Sequence, residues 1–189
     1  MEKKMDLRIQ KTYLALHNAF TELLEKKRFE DFTVNELCDR AMIRRTTFYK
    51  HFADKYDYFS FYMKEVSQEI KDDFSSSIHT DDMKTYMLEM IRGLLKFMNE
   101  KKNLVNNVMQ SNMFSMLFDM LTELVMLETL LVLRRTKNIS TSFEGDLEGV
   151  AAYYAGGVLS TIRYYYQIDH LADEEKILQT ISNFLPDIS

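Results

Sequence analysis

Seven side chains that can donate hydrogen bonds cluster around two phenylalanines early in the chain. Phe48 and Phe52 are four residues apart, so in a helix they share one face and leave the donors on the remaining surface. The donors are Arg44, Arg45, Thr46, Thr47, Tyr49, Lys50 and His51. Guanidinium, ammonium and hydroxyl groups are suited to phosphate oxygens and to base edges. The chemistry expected of this cluster is therefore the binding of nucleic acid.

These donors need short helices to present them, and residues 32–52 contain two helical patterns with a break between them. Thr33 followed by Glu36 is a capping box that opens the first helix. Its apolar residues, Val34, Leu37, Cys38 and Ala41, fall on one face. The second helix is expected to begin near Arg44. This layout is that of a helix-turn-helix, whose second helix enters the major groove of DNA.

The same region resembles the TetR family of bacterial transcriptional regulators. The matching residues are T-V-N-E-L at 33–37 and A-M-I-R-R-T-T-F-Y-K-H-F-A-D-K at 41–55. Beyond the first third of the chain, the agreement with the family is limited to length and helical character. The resemblance implies a helix-turn-helix DNA-binding domain at 1–54 and a helical domain for effector binding and dimerisation at 55–189.

Position in the motif and the family resemblance together assign roles to individual side chains. Arg45 and Thr46 are expected to read base edges, and Lys50 could contact either bases or phosphates. The residues expected at phosphates are Arg44, Thr47, Tyr49, His51 and Lys55, of which the last four match family positions that make such contacts. Thr33 could both cap its helix and offer its hydroxyl to phosphate, although capping alone would explain it.

Two residues near the turn depart from the family pattern. Met42 stands where glycine is usual, and a non-glycine residue at positive φ costs roughly 1 kcal/mol. Arg44 replaces the usual capping Ser or Thr, and a cation at a helix N-terminus opposes the helix dipole. A local rule broken at such a place suggests a functional site, because an arginine there could grip O6 and N7 of guanine.

The balance of charge differs between the two ends of the chain. The net charge is −5, yet residues 1–55 carry 12 Lys and Arg against nine Asp and Glu. Residues 56–189 carry 12 against 20. Because charges act over roughly 8 Å in physiological salt, an acidic C-terminal part need not prevent the N-terminal part from binding DNA.

The composition favours an all-α fold of about nine helices. One proline and five glycines leave long stretches without turn signals, and 46% apolar residues suffice for a buried core. Besides the two helices of the motif, apolar periodicity predicts helices at about 6–27, 54–75, 82–98, 103–110, 112–136, 143–167 and 173–184. Asp6 and Asp54 are placed to cap the helices that begin beside them.

Several other classes of function are disfavoured by the residues present. The single cysteine, Cys38, excludes an internal disulfide and is expected in the core. The histidines lack metal-ligand spacing, and no nucleotide-binding or nucleophile motif occurs, so no metal, cofactor or enzymatic activity is expected. The start of the chain lacks a signal-peptide pattern. The most hydrophobic long segment, 116–133, contains three acidic residues, each of which would be costly inside a bilayer. A cytoplasmic protein without a membrane span is therefore expected.

The C-terminal part is rich in methionine and aromatic residues. Methionine adapts to irregular cavities and ligands, so an effector site could draw on these residues. The candidates are Tyr86, Met90, Met109, Met113, Phe114 and Tyr153. The simpler interpretation is that most residues of this kind fill the core between packed helices.

The segment Y-Y-A-G-G-V-L-S-T-I-R-Y-Y-Y at 153–166 is similar to a stretch found in a TetR subgroup that includes the DhaS-like regulators of dihydroxyacetone kinase genes. Small and aliphatic residues on one face of this helix, together with the last helix, could form a dimeric four-helix bundle. They are Ala151, Ala155, Leu159, Ile162, Ile177 and Ile181. The alternative is that this face is buried within a single chain.

The function expected from these features is that of a TetR-like DNA-binding regulator. The family default is a repressor that binds a palindromic operator as a homodimer and is released by an effector. One alternative is an activator controlled by a protein partner, which the DhaS-like resemblance permits. The other is a helical scaffold or enzyme without DNA binding, which would show no salt-dependent affinity for DNA.

Overall fold

A computed structural model of the chain describes residues 7–75, 82–135, 146–169 and 173–185. Within these ranges there are nine α-helices, one 3-10 helix and no strand, so the all-α prediction is confirmed. In chain order they are α1 (Leu7–Leu24), the 3-10 helix (Phe29–Asp31), α2 (Val34–Arg40), α3 (Arg45–Phe48), α4 (Lys55–Ser75), α5 (Met83–Glu100), α6 (Lys102–Met109), α7 (Phe114–Arg135), α8 (Leu147–Asp169) and α9 (Glu174–Ser182). None of these described helices is both long and apolar enough to cross a membrane.

Side-chain caps fix the points where several helices begin. The Asp54 carboxylate accepts hydrogen bonds from the amides of Tyr56 and Asp57 at 2.8 and 2.9 Å, as predicted. Asp82 and Asp173 cap α5 and α9 in the same way. Each carboxylate satisfies amides that the first turn leaves free and also complements the helix dipole. The cap predicted at Asp6 lies outside the described residues.

The contacts within the chain define two compact units. The first comprises Met1–Val66 and Lys101–Ser115, and the second comprises Ser67–Glu100 and Met116–Ser189. In the first unit α1 packs against α2 and α6, and α2 packs against α3. In the second, α9 packs against α5 and α8. The boundary predicted at residue 54 divides the chain by function, whereas these two units are defined by contacts. The functional boundary therefore stays a prediction.

The core of the first unit is a cluster of aromatic rings from α1, α4 and the segment before α2. The ring of Phe20 lies edge-on to Tyr58 at 4.9 Å and to Phe32 at 5.5 Å, measured between centroids. Tyr58 is fully buried, and its hydroxyl has no hydrogen-bond partner among the described residues. Burial raises the pKa of this hydroxyl far above its usual range. The cluster forms the rigid support on which the helix-turn-helix rests.

The face of α8 and α9 that was expected to dimerise is buried inside the chain. Its members, Ala151, Ala155, Leu159, Ile162, Ile177 and Ile181, are each no more than 4% exposed. A side chain already buried in its own chain has little surface left to bury against a second copy. The assignment of these six residues to a dimer interface is therefore corrected: they belong to the intrachain core, which was the alternative interpretation of this face.

Candidate nucleic-acid interface

The first helix of the motif, α2, begins with the predicted side-chain cap. The hydroxyl of Thr33 accepts a hydrogen bond from the amide of Glu36 at 3.2 Å. The carboxylate of Glu36 does not complete the capping box, because it is bound by the ammonium of Lys27 at 2.5 Å. This ion pair connects α2 to the residues that follow α1.

The turn between α2 and α3 is held by two specific backbone hydrogen bonds. The amide of Ile43 donates to the carbonyl of Cys38 at 3.0 Å, and the amide of Met42 donates to the carbonyl of Asp39 at 3.2 Å. This pattern is a Schellman motif, in which the residue after the helix cap adopts the left-handed conformation. That residue is Met42, with φ of 53° and a side chain that is 92% exposed. The positive φ anticipated at Met42 is therefore present.

The second helix, α3, is seated by the two phenylalanines that the sequence singled out. It begins after Arg44, whose extended backbone occupies the cap position without a side-chain capping hydrogen bond. Hydrogen bonding of the helical type continues beyond α3, since the amide of Phe52 donates to the carbonyl of Phe48 at 3.0 Å. Phe48 and Phe52 are 0% and 5% exposed, and the ring of Phe52 lies edge-on to Tyr58 at 4.8 Å. The opposite side of this segment consequently faces outward.

The exposed surface of the α3 segment carries cations without anions. No acidic residue occurs between Asp39 and Asp54. Arg44, Arg45 and Lys50 are exposed, and none of their side chains has an ion-pair or hydrogen-bond partner within the described ranges. Such charges are free to neutralise phosphates and to release the counterions that phosphates hold.

Two other cations of the first unit already have acidic partners. Arg40, at the end of α2, is paired with Glu22 of α1 at 2.6 Å. Arg28 is bound by Asp31 at 3.0 Å, and this carboxylate raises the pKa of the guanidinium. Positive charge that is already compensated contributes less to the attraction of DNA than the exposed charges of Arg44, Arg45 and Lys50, which share one segment.

The neutral donors of the cluster extend this surface. Thr46 is exposed and Thr47 is half-buried. Tyr49 is 55% exposed, and its ring stands edge-on to Phe48 at 5.4 Å, which fixes the direction of the phenol. The hydroxyl groups of all three can donate to phosphate oxygens or accept from base amines.

His51 is oriented by a residue of α1 that the sequence had not indicated as functional. The hydroxyl of Tyr13 lies 3.4 Å from Nδ1 of His51, and the two rings are edge-on with centroids 5.3 Å apart. This contact leaves Nε2 of His51 available to a further partner. Tyr13 belongs to the apolar stripe of α1, and its polar end was the one signal that could have identified it as a positioning residue.

Lys55 lies at the start of α4 and directs its ammonium into the protein. Its Nζ donates to the backbone carbonyls of Phe29 and Phe32 at 2.6 and 2.5 Å. The same nitrogen lies 4.2 and 4.7 Å from the centroids of those two phenyl rings. Burial lowers the pKa of Lys55, while Glu30 and Asp31 partly offset that effect. The structure thus separates Lys55 from the exposed cations with which it had been grouped.

Two of the residues expected to bind an effector line one small cavity in the second unit. Tyr86 and Met90 contribute to a cavity of about 30 Å³ that also includes Glu128. The phenol of Tyr86 donates to the carboxylate of Glu128 at 2.8 Å, and Glu128 is 7% exposed. Burial and this hydrogen bond raise the pKa of Tyr86 to about 12. The cavity is otherwise apolar.

The remaining effector candidates are not brought to that cavity. Met109, Met113 and Phe114 belong to the first compact unit, where Met113 is 3% exposed. Tyr153 lies on α8, 74% exposed, and borders a different groove of about 290 Å³ between α8 and α9. Within the second unit, Tyr153 therefore does not share the cavity of Tyr86 and Met90, and an effector site that includes all six residues stays a prediction.

The exposed side of α8 carries a stripe of large and small residues. The members are Tyr153, Gly157, Ser160, Tyr164 and Ile168, each of them exposed. They recur every three or four residues, which places them on one side of the helix. Tyr164 and Ile168 are 57% and 56% exposed, and Phe184, just after α9, is 77% exposed. A Cβ atom added at Gly157 would meet nothing within 4 Å, so packing within the chain does not require glycine there.

Neither a metal site nor a reactive thiol stands out in the described ranges. No group of three or more His, Cys, Asp and Glu side chains there is placed to hold a metal ion. Cys38 is 1% exposed on α2, and burial raises the pKa of its thiol. A buried thiol with a raised pKa behaves as a small apolar core residue.

Comparison with known proteins finds a related sequence segment and similar solved structures. A 55-residue segment, 29% of this chain, is 40% identical to an uncharacterised HTH-type transcriptional regulator, YxbF, of Bacillus subtilis (strain 168). The match spans 14% of the length of that regulator. No family profile matches the chain.

Among solved structures, a proposed fatty acid metabolism regulator from Clostridium perfringens superposes with a TM-score of 0.58 at 18% sequence identity. The alignment covers 89% of this chain and 94% of that protein. A gamma-butyrolactone receptor, an ArpA-like protein, aligns over 95% of this chain and 100% of its own, but with a TM-score of 0.47 and 14% identity. The first of these structures shares the all-α fold that the TetR resemblance implied.

Proposed function

We propose that this chain, with the fold of a TetR-like regulator, is a transcriptional regulator that binds double-stranded DNA through α3 and the residues that follow it. The observation that carries the proposal is the acid-free segment 40–53, in which Arg44, Arg45 and Lys50 are exposed and unpaired within the described residues. Phosphate attraction supplies most of the affinity of such a surface, and base contacts supply its specificity. The proposal assigns no enzymatic activity.

Within this surface the roles differ between the two ends of α3. Arg45 and Thr46, in the first turn, are proposed to read bases in the major groove. Arg44, Thr47 and Tyr49 are proposed to hold phosphates, as is His51 through the nitrogen that Tyr13 leaves available. Lys50 is exposed on the same segment and could serve either purpose, whereas Thr33 could add its hydroxyl at the start of α2.

The test is selection of bound sequences from random duplex DNA, followed by affinity measurements at several salt concentrations. Replacing Arg45 with alanine should relax the preference at one base pair by about 1–3 kcal/mol. Lys50→Ala should lower the slope of log affinity against log salt by about 0.9 if Lys50 contacts a phosphate. Arg40→Ala is the matched control, because Arg40 is paired with Glu22 and should change neither quantity appreciably.

Weak binding without a selected sequence and with a shallow salt slope would refute the proposal and favour a helical scaffold or an enzyme. Unchanged sequence preference in Arg45→Ala would remove that residue from the base-reading set while leaving DNA binding in place. The two outcomes are distinguishable, because the first concerns the unmodified protein.

We further propose that the regulator is a homodimer whose interface is the exposed stripe of α8 together with the residues near the end of α9. Tyr153, Tyr164 and Phe184 expose more than half of their surface, and Tyr153 and Phe184 border the same groove. Large apolar side chains that are exposed together mark interaction surfaces. Gly157 lies between the tyrosines, where a glycine in a helix interior costs about 0.5–1 kcal/mol relative to alanine. Close approach of a second helix would explain it, since no packing contact among the described residues does.

Sedimentation at several protein concentrations tests the dimer. Tyr164→Lys should raise the concentration at which the dimer forms, because the change places a charge in an apolar contact. Ala152→Lys is the control: it adds the same charge to α8 at an exposed position about 120° around the helix from the stripe. A protein that remains monomeric at all concentrations, or equal effects of the two lysines, would refute this interface. A dimer with this two-fold arrangement would select an approximately palindromic operator.

We propose that an effector controls the binding of the operator. Tyr86 and Met90 mark the candidate pocket, and an effector that bound one arrangement of the protein about 3 kcal/mol more tightly would change operator occupancy more than a hundredfold. The cavity of about 30 Å³ is small beside the roughly 300 Å³ or more of ordinary ligand sites. This observation favours, as a second candidate, a regulator whose signal is a protein partner.

The sign of regulation can be measured with a reporter gene placed behind the selected operator. Repression, which is the form we propose, predicts higher expression when the regulator is absent, whereas activation predicts lower expression. The variant Tyr86→Phe distinguishes the two signals, since a small ligand held by this phenol should lose potency while a protein partner acting elsewhere should not.

A further inference from the structure

We infer that Lys55 is a positioning residue that holds the start of the helix-turn-helix in place, and that it does not contact the DNA. The inference rests on the proposed function, because the arrangement it protects is that of a DNA-binding motif. It differs from the phosphate role that the family resemblance implied for this lysine.

The ammonium of Lys55 is enclosed by acceptors from a segment more than twenty residues earlier in the chain. Its Nζ donates to the carbonyl of Phe32 at 2.5 Å and to that of Phe29 at 2.6 Å. The two phenyl rings cover it at 4.7 and 4.2 Å, within the range of a cation–π contact. Two of the three N–H groups are therefore committed to the protein, in a half-buried site.

Phe32 is the residue immediately before the N-cap of α2. The next residue, Thr33, caps α2 through its hydroxyl. Lys55 itself opens α4, immediately after the cap residue Asp54. The ammonium thus joins the first turn of α4 to the entry of α2, and α2 packs against α3. A change at Lys55 would reach the donors of α3 through backbone that the lysine directly holds.

The affinity for DNA depends on the fraction of molecules in which the two helices of the motif are correctly arranged. A motif whose two helices sample several arrangements binds DNA only from the competent one, and the observed affinity falls in proportion to the population of that arrangement. Loss of a positioning residue should therefore weaken affinity without changing the number of phosphates neutralised. Loss of a phosphate contact should weaken affinity and also reduce the salt slope.

The experiment compares Lys55→Met with Lys50→Met on the selected operator at several salt concentrations, well below the unfolding temperature of each variant. Lys55→Met keeps the apolar stem and removes both hydrogen bonds. We expect its affinity to fall by about tenfold or more with the salt slope unchanged, whereas Lys50→Met should lower the slope by about 0.9 if that exposed lysine meets a phosphate. A reduced slope in Lys55→Met, or an affinity equal to that of the unmodified protein once folded protein is counted, would overturn the inference.

A second measurement needs no variant and remains valid if Lys55→Met does not fold. Reductive methylation of the unmodified protein should leave Lys55 largely unreactive with and without DNA, while Lys50 should react in the free protein and be protected by the operator. Rapid methylation of Lys55 in the free protein, or its protection only by DNA, would contradict the assigned role. If the unmodified protein fails to bind DNA, the proposed function fails, yet the reactivity of Lys55 in the free protein still decides whether its ammonium is held by the backbone.

Discussion

Replacing Met42 with glycine should stabilise the first unit, because the backbone at this position favours a residue without Cβ. The φ of Met42 is 53°, and left-handed backbone costs about 1–2 kcal/mol for an L-residue. Glycine removes that cost but loses more conformational entropy on folding, by about 0.5–1 kcal/mol. The side chain is 92% exposed, so its removal sacrifices little apolar burial. The net expectation is a gain of about 0.5–1 kcal/mol in the free energy of unfolding.

The assay is urea unfolding followed by circular dichroism. With a urea dependence near 2 kcal/mol per molar, the midpoint of Met42→Gly should rise by about 0.4 M. Met42→Ala keeps a Cβ and should leave the midpoint almost unchanged. Ala53→Gly is the control for the entropy of glycine: Ala53 is exposed in a turn of the same unit, its φ is not positive, and its replacement should lower stability. A midpoint that falls in Met42→Gly, or that rises equally in Met42→Ala, would refute the reasoning from φ.

Three further sets of substitutions test the Asp54 cap and the phenols of Tyr58 and Tyr86. Tyr58→Phe should leave the free energy of unfolding unchanged or raise it by up to about 1 kcal/mol, because it deletes a buried hydroxyl without a partner; a clear loss in chemical denaturation would reveal a hydrogen bond. Asp54→Ala should cost about 1 kcal/mol through loss of the cap on α4, whereas Asp54→Asn should cost less, as thermal unfolding would show. The folded-state pKa of Tyr86, about 12, lies above the ordinary phenol value of about 10, so the folded protein holds this proton more tightly and stability should fall as pH rises through that interval. Tyr86→Phe should remove this loss of stability at alkaline pH. The change also leaves Glu128 without its phenolic donor. Phenolate absorbance during a pH titration of the unmodified protein would locate the transition.

The parts of the fold that depend on local sequence could be predicted. Asp54 caps α4 because a carboxylate before an apolar-periodic run satisfies the first free amides whatever the tertiary context. Phe48 and Phe52 are buried because spacing of four residues puts both rings on one face of a helix. The strained turn at Met42 could be anticipated from the family pattern, since the Schellman geometry calls for glycine at that point.

Other features depend on contacts that no local pattern reports. The face of α8 containing Ala155 and Leu159 was assigned to a partner chain, yet apolar periodicity is the same whether the partner is a second copy or the rest of the same chain. The exposed stripe containing Gly157 mixes polar, small and apolar residues, so no apolar repeat in the sequence marks it. The sequence does not distinguish Lys55 from the other basic residues of the motif. The two carbonyl groups that bind its ammonium are more than twenty residues away in sequence, so no local pattern reveals them.

The burial of the only cysteine makes α2 a reporter of its own opening. Cys38 is 1% exposed, and burial raises the pKa of its thiol, so a thiol-specific reagent should modify it only when α2 departs from its neighbours. The ratio of the labelling rate in the folded protein to that in the unfolded chain then measures the opening equilibrium of the motif. Since the chain has a single cysteine, every modified molecule records that event. Operator DNA should slow the labelling, because binding at α3 would stabilise the closed arrangement of the motif. The labelling rate of a buried thiol would then report whether the DNA-binding surface is occupied.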